Sequence, residues 1–592
     1  MKTRQRLAFI AFAALLLTAC GPQPLQENDN PENDIQWSLL LAGGSISLCS
    51  SRYRSACDDE RRDEADWPTS AHTATVYRLD RKRLKRILDP AYWQEKREPQ
   101  RAKLEQRLKA SLKSGSSDFA HKELRELIPD ELSPRERDRV IDLLEAFSED
   151  PARDGERARE WVSAANTREH ERPAIYQEFV EMASAVSGRD QPRILVFTSA
   201  ARDPLSVVDY YLGAFEQSGA EARWAPTGPA VHAATRAGEC DDLDQWRAGV
   251  SNAWNRAHIY PDLAAKQTEA CLNPDTLTSL MDWADGVFFN GGDQSRHRAT
   301  LFKDERTAGA ALTRLRERFQ AEALVVGGTS AGTAVQTGQD MAMIASGTPE
   351  AALRGNMVTS PPPAPDCGLH GDCPEGTDPD TLTWQQAGGL GLFSFGLLDT
   401  HYGERGRPVR SIALAAATGA DLSFGVDETT GLLVGQSPGG DRHFHVLGAA
   451  AAMIMDFRES TLSLNESGLA ARNVLLHRLT SGNGMTIDAK GRFHIAPESS
   501  TEQASCDSPS DADLLGDQGV AKMAGKLRCS KQARLTAEHH ASPQRWQIEL
   551  EETEQTQWLS ADRNQHVGWY GLSLSLGPES AADSKRGKEA RK

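Results

Sequence analysis

The segment "VVGGTSAGTAV" at 325–335 contains the first residues whose types and spacing suggest chemistry. An apolar run breaks at two glycines and is followed by the hydroxyl of Ser330. Gly328-Thr329-Ser330-Ala331-Gly332 fits the G-x-S-x-G pattern of a strand-to-helix turn that exposes a nucleophilic serine. The amide of Ala331 follows the serine, where it can face a developing oxyanion. A glycine-rich turn without a catalytic role gives the same letters, so the interpretation needs partner residues.

A base and an acid for such a serine occur downstream. A serine hydroxyl needs a base such as imidazole, and the base needs a carboxylate to orient it. The stretches "LLDTHYGERGRPVR" (397–410) and "FGVDETTGLLV" (424–434) supply Asp399, His401, Arg405, Arg407, Arg410, Asp427 and Glu428. Taken singly, the histidine also suits a structural role, the arginines a solvated loop, and the carboxylates strand-end caps.

Four motifs in a fixed order resemble the cyanophycinase family of serine peptidases, whose relatives include the aspartyl dipeptidases. They are "FFNGGDQ", "GGTSAGTAV", "DTHYGERGRPVR" and "GVDETTGLLV". "LLLAGG" resembles the first strand of that fold and "PRILVFTSAA" the second, so the resemblance covers roughly 36–48 and 175–490. It implies an α/β fold with a mostly parallel sheet flanked by helices, similar to class I glutamine amidotransferases.

The resemblance also implies roles for individual residues. Ser330 matches the nucleophile, His401 the general base and Glu428 the third member of the triad. The amides of Gly292 and Ala331 match the oxyanion hole. The positions that match substrate-binding residues are Gln294, Asp399, Arg405, Arg407 and Arg410. The family cleaves cyanophycin, a β-aspartyl-arginine polymer, or related peptides after the β-linked aspartate.

The charged residues near His401 agree with such a substrate. Arginine side chains bind carboxylates in bidentate fashion, and an aspartate such as Asp399 can hold an amine or guanidinium. One departure concerns Thr400, which stands where the family often has glutamine. Thr400 leaves the polymer specificity open and does not affect the triad.

The elements that must position these residues are predicted from hydrophobic patterning. Apolar runs at 37–44, 192–200 and 285–294 indicate strands. Apolar spacing after 206 indicates a helix with Ser206 as N-cap and Gly219 as stop, and a further helical region spans about 297–320. Strands that alternate with helices predict a parallel sheet in an α/β layer architecture.

The remaining segments set the domain organisation. We expect one α/β domain over 36–495 with a charged helical insertion at about 60–175. Residues 361–381 are rich in Pro, Gly and Asp and predict a loop. Residues 496–592 are expected to form a small β-containing C-terminal extension that ends in a disordered tail.

The N-terminus predicts export. "MKTRQRLAFIAFAALLLTAC" has a basic start and a short apolar stretch, and it resembles a bacterial lipoprotein signal with its lipobox. The resemblance implies removal of residues 1–19 and lipidation of Cys20, with 20–35 as a tether. A bacterial cell-envelope location follows, with an outer-membrane anchor favoured over an inner-membrane one because Gly21 and no aspartate follows the cysteine. A plain secretory signal is the alternative.

The cysteine count and the net charge further narrow the class of protein. Of nine cysteines, eight remain without Cys20, an even number in an exported chain. Sequence neighbours suggest the disulfide pairs 49–57, 240–271, 367–373 and 506–529. The net charge of −17 argues against nucleic-acid binding. We expect no cofactor and no metal, and His443 and His445 fit a surface strand. A homodimer is an open option.

Two other function classes share some of these features. A general esterase of the α/β-hydrolase type has its acid before its histidine, whereas here His401 precedes Glu428. A glutamine amidotransferase would have cysteine where Ser330 stands. A cell-envelope binding protein that keeps the fold without activity remains the non-enzyme alternative.

Overall fold

The computed structural model of the chain describes residues 35–60, 67, 71–72, 75–115, 118–146, 157–496, 513–541 and 544–579. The predicted signal peptide, Cys20 and Cys506 lie outside these ranges, so the predictions made for them stay predictions. Every helix within the described ranges is too short or too polar to cross a membrane.

The strands of the described ranges are numbered in chain order. They are β1 (Gln36–Ala42), β2 (Cys49–Ser50), β3 (Val76–Arg78), β4 (Asp118–Phe119), β5 (Glu145–Ala146), β6 (Val162–Ser163), β7 (Arg193–Phe197), β8 (Glu221–Trp224), β9 (Gly286–Phe289), β10 (Val325–Thr329), β11 (Met343–Ser346), β12 (Met357–Thr359), β13 (Leu382–Gln385), β14 (Leu397–Thr400), β15 (Leu422–Val426), β16 (Thr430–Gln436), β17 (Arg442–Gly448), β18 (Ala451–Asp456), β19 (Thr461–Asn465), β20 (Gly468–Thr480), β21 (Gly484–Ile487), β22 (Phe493–Ala496), β23 (Arg534–Ala541), β24 (Gln544–Ala561) and β25 (Val567–Pro578).

The α-helices are numbered in the same way. They are α1 (Arg81–Ile87), α2 (Glu98–Ser114), α3 (His121–Leu127), α4 (Pro134–Leu144), α5 (Glu171–Ser187), α6 (Val208–Gln217), α7 (Pro229–Ala237), α8 (Leu243–Ser251), α9 (Arg256–Ile259), α10 (Pro261–Leu272), α11 (Thr276–Trp283), α12 (Gln294–Leu301), α13 (Ala310–Gln320), α14 (Ala331–Ala334), α15 (Pro349–Arg354), α16 (Cys367–His370), α17 (Pro408–Thr418) and α18 (Gly519–Ser530).

The central sheet has nine strands in the order β22-β21-β17-β16-β1-β10-β9-β7-β8. From β1 to β8 all neighbours are parallel, whereas from β1 to β22 they are antiparallel. Alternate residues of β1 reach both faces, with Leu39 and Leu41 in one apolar cluster and Leu40 and Ala42 in another. Helices α5 and α6 cover the second of these faces, and α11 and α13 contribute to the first.

A second sheet has the order β14-β15-β18-β20-β25-β24-β23, with β19 also paired to β20. Only β14 and β15 run parallel among these described pairs. Its last three strands belong to the C-terminal extension, and α18 packs on it through Met523 and Leu527. The extension is therefore continuous with the main body through the β20–β25 pairing.

The predicted α/β class is confirmed, but the expectation of a mostly parallel sheet is wrong. Four central strands and nearly all of the second sheet are antiparallel. The reason lies in short hairpin connections between paired strands, such as residues 437–441 between β16 and β17 and 488–492 between β21 and β22. A parallel connection needs a crossover of about a dozen residues or more, and these turns are shorter. The similarity to class I glutamine amidotransferases stays a prediction.

The charged block before α5 forms helices α1–α4 and a small sheet of β4, β3 and β5 around its own apolar cluster. Helix α6 begins two residues after the predicted cap, because Asp203 caps a preceding 3-10 turn that includes Ser206. The region predicted to be helical at about 297–320 holds two helices, α12 and α13.

Three of the four predicted disulfide pairs are present. The bonds join Cys49 to Cys57, Cys240 to Cys271, and Cys367 to Cys373. The fourth predicted pair includes Cys506 and lies partly outside the described residues.

Candidate active site

Ser330 lies between β10 and α14, at the carboxyl end of the parallel strands. Its backbone has φ 54° and ψ −117°, a conformation that few non-glycine residues adopt. Neighbouring glycines permit the turn: a Cβ on Gly328 would collide with the carbonyl of Gly332, and one on Gly332 with the carbonyl of Phe289. The turn therefore has the form expected of a strand-to-helix elbow that presents a serine.

Ser330, His401 and Glu428 form one line of contacts. The Oγ of Ser330 is 2.7 Å from Nε2 of His401, and Nδ1 of His401 is 2.5 Å from Oε1 of Glu428. Because Nδ1 faces a carboxylate, it carries the ring proton and donates a hydrogen bond to Glu428, which leaves Nε2 to accept a hydrogen bond from the serine hydroxyl. Three residues that are 71 and 27 positions apart in sequence thus lie in contact.

The pKa values of His401 and Glu428 are shifted in a way that favours a neutral imidazole beside an ionised carboxylate. Burial lowers the pKa of His401 below its ordinary value, although the Glu428 hydrogen bond opposes the shift. The hydrogen bond from His401 lowers the pKa of Glu428 to about 2, outweighing the effect of burial. At neutral pH the imidazole is therefore neutral and the carboxylate ionised, which is the state in which His401 can accept a proton.

The loop after β1 contacts both His401 and Glu428. The amide of His401 donates to the carbonyl of Gly43 at 3.0 Å. Gly44 has φ 129°, and a Cβ at that position would collide with the His401 imidazole. The hydroxyl of Ser45 donates to Oε2 of Glu428 at 2.6 Å. None of these contacts was predicted from the sequence.

The predicted oxyanion turn lies against the serine. A Cβ added to Gly291 would be 3.3 Å from Cβ of Ser330, so the turn that contains Gly292 borders the serine. The amide of Asp293 donates to the carbonyl of Ala200 at 3.0 Å, which anchors the turn to the loop after β7. Ala331 follows Ser330 directly as the first residue of α14.

Gln294 lies just beyond that turn, where the sequence predicted a substrate contact. Its Nε2 donates to the carbonyl of Ile344 at 2.6 Å and to that of Ala345 at 3.2 Å. The side chain thus links the start of α12 to β11. A role toward substrate stays a prediction.

The four charged residues predicted to bind substrate fall into two groups. Asp399 is buried and its carboxylate is bound by Arg410 at 3.0 Å and by Arg407 at 3.2 Å. Arg405 is exposed instead, with a guanidinium nitrogen 3.9 Å from Oε1 of Glu428. The structure thus brings Asp399, Arg407 and Arg410 into one ion cluster, and it brings Arg405 to the carboxylate of Glu428.

A layer of polar residues below Glu428 was also not predicted. The amide of Glu428 donates to Oε1 of Glu404 at 3.1 Å, and Nε2 of Gln518 donates to the same oxygen at 3.0 Å. Gln518 also donates to Asp427 at 3.1 Å. Burial and the charge of Asp427 raise the pKa of Glu404 to about 8. Gln518 of the C-terminal extension is thus connected to the backbone of Glu428 through the carboxyl group of Glu404.

Comparison with known proteins gives a distant relationship. No protein-family model matches the chain. A cyanophycinase of Trichormus variabilis is 25% identical over 315 residues, which cover 52% of this chain and 77% of that protein. A cyanophycinase of Nostoc sp. matches with the same identity and coverage. A cyanophycinase of Synechococcus elongatus is 28% identical over 238 residues, or 38% of this chain and 62% of that protein.

These similarities support a cyanophycinase-like relationship over part of the chain. They support a peptide hydrolase. Ser45 and Gln518 could not have been found from a local motif, because their contacts with Glu428 and Glu404 join residues 383 and 114 positions apart.

Proposed function

We propose that the chain is a serine peptidase that hydrolyses β-aspartyl peptides of the cyanophycin type. The observation that carries the proposal is the line of contacts from Ser330 Oγ through His401 to Glu428. The distant similarity to cyanophycinases supports the substrate class. The order serine, histidine, acid along the chain favours this class over an α/β-hydrolase esterase.

The reaction proceeds through an acyl-enzyme. Ser330 Oγ attacks the carbonyl carbon of the β-linked aspartate at the scissile bond. The proton of the serine hydroxyl passes to Nε2 of His401. The amides of Gly292 and Ala331 stabilise the negative oxygen of the tetrahedral intermediate. The C–N bond breaks as His401 returns the proton to the departing amine. A water molecule then loses a proton to His401 and attacks the ester carbonyl, and His401 returns that proton to Ser330 Oγ as the C–O bond breaks.

Substrate charge is matched by the surroundings of the triad. Arg405 is exposed beside Glu428 and can bind a carboxylate of the substrate. Gln294 and the cluster of Asp399, Arg407 and Arg410 shape the same region in this proposal. Asp399 then acts by fixing the two arginines, since both already bind its carboxylate.

We further propose that the protein is exported and lipid-anchored at Cys20 in the bacterial envelope. The motif at 1–20 supports this proposal. Labelling of cells with a radioactive fatty acid tests it: the full chain is expected to carry label, and a Cys20→Ser chain to carry none. Label that survives the substitution would contradict the anchor.

The function is tested by incubating the full chain in detergent with cyanophycin and with β-Asp-Arg dipeptide, followed by mass analysis of the products. The expected result is cleavage after the β-linked aspartate, with the rate lowered at least about 10³-fold in a Ser330→Ala chain. Equal rates in the two chains would overturn the proposal. Binding of cyanophycin without any products would favour a binding protein, and cleavage of simple esters alone would favour an esterase.

A further inference from the structure

A cavity of about 500 Å³ begins where the proposed triad ends. Its wall includes Ser45 and Glu428, and Glu428 directs Oε1 to His401 and Oε2 to Ser45. Its size lies within the range of small-molecule sites, roughly 300–1,000 Å³. The Glu428 side chain keeps 30% of its surface exposed, so the third residue of the triad remains accessible to a ligand.

Three arginines line the same cavity. Arg168 lies just before α5 and Arg172 in its first turn, and Arg563 comes from the turn between β24 and β25. All three lie outside the segments that resemble cyanophycinases. The insertion side and the C-terminal extension thus both contribute cationic groups next to the site.

The arginines have ion-pair partners but keep unused capacity. Arg563 binds Glu171 at 2.6 Å and its side chain is still 46% exposed. Arg172 binds Glu169 at 2.7 Å and the carbonyl of Ser47 at 3.0 Å, and its side chain lines the cavity. Five donors on each guanidinium allow a second acceptor beside the first.

The opposite charge is also present on the wall. Glu169 and Glu428 supply carboxylates to the wall, and Glu404 lines it as a third acidic residue, whose Oε2 is buried without a hydrogen-bond partner among the described residues. Because burial raises the pKa of Glu404 to about 8, that carboxyl is mostly protonated at neutral pH and can donate a hydrogen bond. The cavity therefore offers both cationic and acidic groups, which suits a ligand that carries both charges.

We propose that this cavity is a second substrate subsite, which holds the β-aspartyl-arginine unit adjacent to the one that is cleaved. The carboxylate of that unit binds Arg172 and Arg563, and its guanidinium faces the acidic edge formed by Glu428. The inference rests on the proposed function and deepens it, because it makes the protein prefer chains of several units over single dipeptides.

The test uses the full chain with Ser330→Ala, titrated by calorimetry with one-unit and two-unit β-Asp-Arg peptides. We expect the two-unit peptide to bind at least about tenfold more tightly than the one-unit peptide. Adding Arg563→Met is expected to weaken binding of the two-unit peptide about tenfold, since it removes a charge-assisted contact. Arg563→Lys keeps the charge and is expected to restore most of the affinity.

Glu171→Gln is the matched control. It breaks the same ion pair as Arg563→Met but leaves the guanidinium in the cavity, so binding is expected to be no weaker than in the parent. Unchanged affinity in Arg563→Met would overturn the subsite. Equal weakening by Glu171→Gln would also overturn it, because the effect would then be structural.

Failure of the subsite can be told from failure of the function. Turnover by the wild-type chain combined with binding that does not depend on Arg563 would overturn the subsite alone. Binding that depends on Arg563 in a chain without turnover would support a charge-matched site and overturn the hydrolase alone.

Discussion

His401 and Glu428 owe their protonation states to different causes. Burial dominates for the imidazole and lowers its pKa, whereas the hydrogen bond from His401 dominates for the carboxylate and lowers its pKa to about 2. Both shifts favour the pair of neutral imidazole and ionised carboxylate. A base of this kind stays unprotonated to lower pH than an exposed histidine would.

The pH dependence of the reaction follows from that state. Activity requires neutral His401, so kcat/KM is expected to rise with pH on an acid limb whose midpoint lies below the ordinary histidine value of about 6.5. Assays of kcat/KM from pH 4 to 9 measure the midpoint. In Glu428→Gln the hydrogen bond that raises the pKa is lost, so the midpoint should fall further as the rate falls. A midpoint above 6.5 in the wild type would contradict this reasoning.

Ser45 provides a second test at the residue scale. Ser45→Ala removes the donor to Oε2 of Glu428 and leaves the carboxylate freer to rotate. A hydrogen bond to a charged group at an exposed site suggests a fall in kcat of about tenfold. Ser47→Ala, which removes another exposed hydroxyl of the same loop, is the control and should keep wild-type kcat. Similar losses in both variants would argue against a positioning role for Ser45.

At the scale of elements, the site depends on how closely the loop after β1 approaches the strand end that carries His401. Gly44→Ala would place a methyl group against the imidazole in a backbone conformation that favours glycine. Because displacement of a reacting group by about 1 Å can cost about 10²-fold in rate, kcat is expected to fall by that order. Steady-state kinetics measure the loss.

Gly440→Ala is the matched control for Gly44→Ala. Gly440 also has positive φ, 88°, but a Cβ there would meet nothing within 4 Å. The Gly440→Ala substitution also places alanine at a positive φ, but away from the site, so activity should persist. If Gly440→Ala lost as much activity as Gly44→Ala, general strain rather than contact with His401 would be the cause.

The elements differ in how far the sequence predicts them. β10 and its turn were visible because Gly328, Ser330 and Gly332 lie within five residues, so one local pattern contains the whole elbow. Among the contacts of Glu428, only the one with His401 was predicted, through the family motifs. Ser45 and Gln518 were missed because nothing local to either residue indicates the strand or helix that it will contact.

At the scale of the whole molecule, a buried arginine joins three regions. Arg478 of β20 contacts Asp562 at 2.7 Å and Asp427 at 3.4 Å, and its side chain is 1% exposed. Asp427 adjoins Glu428, and Asp562 belongs to the C-terminal extension. The extension therefore stabilises the site through a charge network, which composition and periodicity could not predict because the pairing of β20 with β25 spans about a hundred residues.

Removal of that arginine should destabilise the protein. Arg478→Met leaves Asp427 and Asp562 buried without their shared cation, and the expected loss in the free energy of unfolding is about 3–5 kcal/mol. Chemical denaturation of the full chain measures it. Arg472→Met, at an exposed position of the same strand, should change the free energy by less than about 0.5 kcal/mol. Equal stability of the two variants would show that the network is dispensable.

Covalent labelling of the full chain with a fluorophosphonate, followed by peptide mapping, tests the central claim most directly. If Ser330 is activated by His401, the adduct forms on Ser330, and His401→Gln slows labelling at least about 100-fold. An adduct on another residue, or labelling of His401→Gln at the wild-type rate, would contradict the account.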